Sequence, residues 1–126
     1  PLFVPLVENG RFRPGDRVAE LVVEEYLAPI KAAGVDALVL GCTHYPLLSG
    51  AIAAFMGPEV ELIDTGAVCA GYAARLLEEQ GLLAQRAQGS CRFYVSDSTE
   101  DFSHLAALFL GAAVEGTVER VDVGAY

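Results

Sequence analysis

An apolar run in the middle of the chain ends abruptly in a glycine, and this feature most constrains the fold. Residues 36–41 form the run, and Cys42, Thr43 and His44 follow it directly. A continuous apolar run of this length is typical of a strand buried on both faces of a parallel sheet. Such a strand carries the polar groups that follow it to the rim of the sheet, where open α/β folds bind ligands.

Further strand and helix patterns alternate along the chain. We expect strands at 60–63, 91–96 and 114–123, and a strand or extended segment at 1–7. Helices are expected from Asp16 to about residue 33, from Pro46 to 56, from 65 to 80 and from 98 to 110. Residues 81–90 are expected to form a polar loop. Alternating strands and helices indicate an α/β fold with parallel strands.

Local signals define several helix ends. Asp16 is a good N-cap, and Gly34 is a suitable stop for the helix that Asp16 begins. Pro29 lies inside that helix and is expected to kink or interrupt it. Ser98 and Asp101 approximate a capping box at the start of the last helix.

Length and charge limit the class of protein. The 126 residues suffice for one modest domain or two incomplete lobes. Eight Lys and Arg against 17 Asp and Glu give a net charge of −9, which argues against a nucleic-acid partner. No apolar run approaches the roughly 20 residues that span a bilayer, so no membrane partner is expected. The three cysteines are an odd number without close spacing, which favours reduced thiols in the cytoplasm.

Cys42 and His44 are the strongest candidates for chemistry. A thiol and an imidazole two residues apart, at the rim of a sheet, can act together in proton transfer. The alternatives are a small buried cysteine, a loop histidine bonded to backbone, and Thr43 serving only as a helix cap. Cys42 and His44 can also be half of a zinc site, but no CxxC or HxxxH spacing completes one, and no metal is predicted.

The remaining polar candidates are weaker. Glu8 follows the first apolar run, so it would share a cleft with Cys42 if the two strands were parallel neighbours; otherwise it is a solvated carboxylate. Helical spacing places Cys69 on a packing face and therefore in the core. Cys91 is expected in the core or at an edge, and His104 in solvent.

The residues from Leu38 to Leu48 closely resemble the second cysteine motif of bacterial glutamate racemases, in the aspartate/glutamate racemase superfamily. Residues 3–8, 62–65 and 93–102 resemble other segments of that family in the same order. Relatives that act on aspartate tend to carry an acidic residue where this chain has His44. The resemblance therefore favours glutamate as the substrate.

The resemblance implies a mechanism that the spacing alone does not show. These racemases interconvert L- and D-glutamate without a cofactor and supply D-glutamate for peptidoglycan and cell-wall synthesis. Two cysteines flank the α-carbon, because a single fixed base would return the proton to the face it left. Cys42 matches the base on the L-glutamate side. His44 would assist it, Thr43 and His44 would contact the substrate, and Glu8 matches a supporting carboxylate.

The resemblance also implies that the chain is the C-terminal half of a racemase with flavodoxin-like, parallel-sheet lobes. Residues 1–63 would end one lobe, and residues 64–126 would return to complete the other. The second cysteine, which the family carries in an Asn-Thr context, does not occur in these 126 residues. The chain alone is therefore expected to be inactive, and to act as a homodimer or with the N-terminal half. The alternatives are a non-catalytic carboxylate-binding or interaction remnant of the same fold, and a metal-binding module.

Overall fold

The computed structural model describes residues 1–85 and 89–125, and these residues form short strands separated by helices. The helices are α1 (Phe3–Glu8), α2 (Arg17–Ala32), α3 (Ser49–Met56), α4 (Thr65–Glu79) and α5 (Thr99–Leu110). The strands are β1 (Ala37–Leu40), β2 (Glu61–Asp64), β3 (Arg92–Val95) and β4 (Thr117–Arg120). Two 3₁₀ turns, Tyr45–Leu48 and Val123–Ala125, complete the regular structure of the described residues.

The strands pair in two parallel ladders. β1 pairs with β2, with Leu40 opposite Asp64, and β3 pairs with β4. The 3₁₀ turn Tyr45–Leu48 and α3 connect the first pair, and α5 connects the second, so each pair belongs to a β–α–β unit. The predicted α/β class with parallel strands is confirmed.

The chain divides into two compact units, Pro1–Leu83 and Ala84–Tyr126. In the first unit, α1, α2, the end of β1 and α3 bury their apolar side chains together. The buried set is Phe3, Leu6, Val7, Ala19, Val23, Leu27, Leu40, Leu48, Ala51, Ile52 and Met56. The assignment of residues 1–63 and 64–126 to two racemase lobes stays a prediction.

The caps predicted at Asp16 and Ser98 are present, and Asp64 caps α4 in addition. The Asp16 carboxylate accepts hydrogen bonds from two N–H groups in the first turn of α2, and Asp64 does the same for α4. The Ser98 hydroxyl accepts a hydrogen bond from the N–H of Asp101. Gly34 follows α2 with φ +70°, a conformation that glycine adopts without strain.

The first apolar run is a helix, so the prediction of a strand or extended segment at 1–7 is wrong. A short apolar run cannot be assigned to strand or helix from its pattern alone. Pro5 lies in the first turn of α1, where a backbone N–H has no intrahelical acceptor, so the proline costs no hydrogen bond.

Pro29 was expected to kink or interrupt α2, and the interruption is wrong, since the helix continues through Pro29 to Ala32. The proline lies in the last turn, so few residues beyond it depend on helical continuity. The last strand is also shorter than predicted. It is confined to Thr117–Arg120, with a 3₁₀ turn near the end of the chain.

The burial predictions for β1 and for Cys69 are wrong, and of the two expectations for Cys91, core or edge, the core is excluded. Leu40 is 3% exposed, but Val39 on the other face of β1 is 57% exposed, so the strand is buried on one face only. Cys69 lies in α4, which has no buried residue, and both Cys69 and Cys91 are exposed. His104 is exposed, as predicted.

Of the predicted loop at residues 81–90, residues 86–88 lie outside the described residues, and the others are neither helix nor strand. In the described parts of the chain, every helix is too short or too polar to cross a membrane.

Candidate functional site

The candidate site begins where β1 ends. Gly41 leaves the strand, and the N–H of Tyr45 donates a hydrogen bond of 3.2 Å to the carbonyl of Cys42. This turn leads into the 3₁₀ turn Tyr45–Leu48, in which Pro46 occupies the first turn as the sequence predicts. The short connection between strand and turn therefore places the side chains of Cys42, Thr43 and His44 side by side.

The imidazole of His44 is the centre of the site. Its Nδ1 lies 3.9 Å from Sγ of Cys42 and 3.1 Å from Oγ1 of Thr43. Its Nε2 lies 3.6 Å from Oε1 of Glu8. The structure thus brings together all four residues singled out from the sequence, in the order carboxylate, imidazole, thiol, with the hydroxyl beside the imidazole.

Glu8 reaches the site by a different route from the one expected. It is the last residue of α1, not a residue at the rim of a strand beside β1. Glu8 nevertheless lies close to His44, because α1 packs against the 3₁₀ turn that follows His44. The carboxylate therefore approaches His44 on the ring nitrogen opposite to the thiol.

An aromatic cluster that the sequence analysis did not single out fixes α1 in this place. The buried ring of Phe3 meets Tyr45 edge to face, with centroids 5.4 Å apart, and lies 5.3 Å from the ring of Tyr26. The hydroxyl of Tyr26 accepts a hydrogen bond of 3.2 Å from the N–H of Leu2.

Charge and exposure make the site suitable for proton transfer. The side chain of His44 is 19% exposed and that of Glu8 is 46% exposed, so the imidazole is partly shielded while the carboxylate reaches solvent. A carboxylate is an acceptor only, so Glu8 favours the tautomer with hydrogen on Nε2. Nδ1 then carries the lone pair, directed to the side where the Cys42 thiol and the Thr43 hydroxyl lie.

The other candidate residues, Cys69, Cys91 and His104, are exposed. Cys69 lies on exposed α4, and Cys91 and His104 belong to the second compact unit. Across residues 1–85 and 89–125, no three or more His, Cys, Asp and Glu side chains are grouped as metal ligands.

Comparison with known proteins places this geometry in a family context. No protein-family model matches the chain. The glutamate racemase of Syntrophus aciditrophicus is 42% identical over 123 residues, which cover 97% of this chain and 44% of that protein. The glutamate racemase of Neisseria meningitidis serogroup A is 43% identical over 125 residues, covering 98% of this chain and 45% of the relative.

Solved structures agree. The crystal structure of glutamate racemase from Thermus thermophilus in complex with β-chloro-D-alanine matches with a TM-score of 0.86 and 43% identity. The match covers the whole of this chain and 47% of the Thermus thermophilus chain. Glutamate racemase from Francisella tularensis in complex with D-glutamate matches with a TM-score of 0.84 and 34% identity, over 99% of this chain and 46% of that one.

The chain is related to the glutamate racemases. The resemblance seen in its sequence is confirmed, and so is the α/β fold with small parallel sheets. The chain spans about half the length of the glutamate racemases it matches, and the match takes in nearly all of its own residues.

Proposed function

We propose that this chain supplies one of the two acid/base stations of a glutamate racemase. The single observation that carries the proposal is the line of groups from Glu8 through His44 to Cys42. His44 lies 3.6 Å from Glu8 and 3.9 Å from Cys42, on opposite ring nitrogens. A base held between a carboxylate and a thiol is the arrangement that activates a thiol for proton transfer.

The proton balance of inversion needs two stations. The Cys42 thiolate removes the α-proton of L-glutamate and becomes a thiol, which leaves a carbanion. A second thiol, on the opposite face, donates its proton to that carbanion and becomes a thiolate, which gives D-glutamate. In the reverse direction Cys42 is the acid. Nδ1 of His44 takes the Cys42 proton to restore the thiolate, and Glu8 stabilises the resulting imidazolium.

Thr43 and His44 are proposed to contact the substrate. Both follow β1, where the backbone N–H groups and the Thr43 hydroxyl can donate to a carboxylate of glutamate. The Thr43 hydroxyl lies 3.1 Å from Nδ1 of His44, so a bound carboxylate would exchange one hydrogen-bond partner of Thr43 for another. No cofactor is required by a mechanism in which both stations are side chains.

The chain alone is proposed to lack inversion activity. Cys69 and Cys91 are exposed and lie in sequence contexts unlike that of the family's other cysteine. The second station therefore comes from a complementary segment, equivalent to the part of the relatives that this chain does not cover. The proposed setting is the cytoplasm, where D-glutamate is made for peptidoglycan, and the net charge of −9 gives no support to a nucleic-acid partner.

The test separates binding, proton removal and inversion. The purified chain is titrated with L- and D-glutamate, then incubated with each in heavy water. Deuterium at the α-carbon is measured by mass spectrometry, and the enantiomer ratio by chiral chromatography. We expect saturable binding and slow exchange that Cys42→Ala abolishes and that Cys69→Ala, at an exposed cysteine, leaves unchanged. We expect no inversion.

Two outcomes would contradict parts of the proposal. Inversion by the chain alone, lost in Cys42→Ala, would show that these residues contain both stations. Saturable binding without exchange would favour the alternative, a carboxylate-binding remnant of the racemase fold that has lost its chemistry.

A further inference from the structure

Thr65 makes a contact that its position in the sequence does not require. Its side-chain hydroxyl donates a hydrogen bond of 3.3 Å to the carbonyl of Leu40, across 25 residues of sequence, and the contact is partly buried. Leu40 is the last residue of β1, two positions before Cys42. Thr65 is the first residue of α4, directly after β2. The hydroxyl therefore joins the start of one element to the end of another.

Helix capping does not account for this hydroxyl. The N-terminal N–H groups of α4 are satisfied by Asp64, whose carboxylate accepts hydrogen bonds from Gly66 at 2.9 Å and from Ala67 at 3.1 Å. Asp64 and Thr65 thus have different hydrogen-bonding roles. The aspartate begins the helix, while the threonine is left to bond outside it.

The location of the contact matters because the ladder ends there. Leu40 pairs with Asp64 as the last pair of the β1–β2 register, and the chain after Asp64 turns into α4. β2 therefore offers no further main-chain partner to the residues that follow β1. The hydrogen bond from the Thr65 hydroxyl therefore holds the end of β1 where the main-chain ladder stops, directly before the site.

The residue after Leu40 has no side chain to hold it. Gly41 would place a Cβ in open space, with no atom within 4 Å, and glycine is the most flexible residue of the backbone. On the other side of Cys42, its carbonyl accepts a hydrogen bond from the N–H of Tyr45. Leu40 and Tyr45 therefore anchor the backbone on the two sides of the thiol.

We propose that Thr65 is a positioning residue for Cys42. Its hydroxyl fixes the carbonyl end of β1, and so keeps Sγ of Cys42 within reach of Nδ1 of His44. The consequence for proton transfer rests on the proposed function, but the placement itself does not. Thr65→Val removes the hydroxyl and keeps the shape, whereas Thr65→Ser keeps the hydroxyl.

Two readouts test the placement without glutamate. With Cys69→Ala and Cys91→Ala in the background, the infrared S–H stretch reports Cys42 alone, and His44→Ala gives the band position without the imidazole. Hydrogen exchange of the Tyr45 amide reports the turn at the site, and that of Val23, in the middle of α2, reports the rest of the unit. The matched control is Ser103→Ala, which removes another hydroxyl-to-carbonyl hydrogen bond, to Thr99 in α5.

We expect Thr65→Val to move the S–H band to the position seen in His44→Ala, and to speed exchange at Tyr45 roughly tenfold relative to Thr65→Ser. Val23 should be unaffected, and Thr65→Ser and Ser103→Ala should match the unchanged chain. An unchanged band and unchanged Tyr45 exchange in Thr65→Val would overturn the proposal. Equal acceleration at Val23 would also overturn it, because Thr65 would then stabilise the unit as a whole.

If Thr65→Val fails to fold, Thr65→Ala is measured against the same criteria, since alanine adds no bulk. Absence of glutamate exchange in the unchanged chain, together with the expected movement of the S–H band in Thr65→Val, would count against the proposed function and leave the positioning role of Thr65 intact.

Discussion

Asp16 stabilises the start of α2 through two interactions at once. Its carboxylate accepts hydrogen bonds from the N–H groups of Val18 and Ala19, and it forms an ion pair with Arg11 in which both oxygens lie 3.1 Å from guanidinium nitrogens. The Arg11 guanidinium, followed by the backbone N–H groups, holds the pKa of the Asp16 carboxyl below its ordinary value. The loop before α2 is thereby tied to the helix it precedes.

This pair should make stability depend on pH in acid. Because the pKa is lower in the folded chain than in the unfolded one, the stabilisation is present above the unfolded pKa and is lost as pH falls through the folded one. Asp16→Asn keeps a capping side chain but loses the charge. We expect a lower urea midpoint than the unchanged chain at about pH 7, and convergence of the two as the pH falls below the folded pKa.

Arg11→Gln provides the control for this experiment. In that background the Asp16→Asn substitution should lose most of its effect near neutral pH, because the guanidinium is the first cause of the pKa shift. An equally large effect of Asp16→Asn in both backgrounds would show that backbone hydrogen bonds alone stabilise the carboxylate.

At the scale of elements, local chemistry could be predicted and burial could not. Caps at Asp16 and Ser98 and the glycine stop at Gly34 depend on neighbouring residues only, and the sequence contains all of those neighbours. The grouping of Cys42 with His44 is local in the same way. Burial of Cys69 and of the second face of β1 depends on surfaces elsewhere, and no pattern within an element specifies whether they are present.

Helix α1 shows how tertiary contacts decide the form of an ambiguous run. A six-residue helix is too short to be stable alone, so its conformation depends on its contacts with α2 and with the 3₁₀ turn after His44. Phe3 supplies much of that contact through Tyr26 and Tyr45. Glu8 reaches His44 only because α1 is held in this orientation, which the sequence alone could not show.

Truncation of Phe3 should therefore destabilise the first unit. Phe3 is 6% exposed, and burial of this kind predicts a loss of about 3–5 kcal/mol in the free energy of unfolding for Phe3→Ala. Leu2→Ala is the matched control, because the Leu2 side chain, next to Phe3 in the sequence, is 50% exposed. Its truncation should cost no more than about 0.5 kcal/mol. Urea titration followed by circular dichroism measures both free energies of unfolding. Similar losses in the two variants would contradict the role of Phe3 in holding α1 in place.

At the scale of the whole molecule, the chain exposes several large apolar side chains. On α4, Val68, Tyr72 and Leu76 lie at helical spacing and are 60%, 60% and 36% exposed; we refer to them as the α4 stripe. The β1–β2 ladder has two strands, and parallel sheets are normally covered on both faces. The related racemases are about twice as long as this chain and share its fold, so they have further chain available to cover such surfaces.

On its own, the chain should associate with itself through the α4 stripe, because burial of apolar surface favours contact between two exposed stripes. We expect sedimentation velocity to show an average mass that rises with concentration. Tyr72→Glu combined with Leu76→Glu places charges in that contact and should raise the dissociation constant at least roughly tenfold, about 1.4 kcal/mol. Ala74→Glu adds a charge of the same sign two positions from Tyr72 and from Leu76, on the opposite side of the helix, and should have little effect.

A monomer at every concentration would show that the stripe is too small to drive association, and equal effects of both variants would assign the change to net charge. Association that persists in the stripe variant would instead point to the open edges of the two-stranded sheets as the contact.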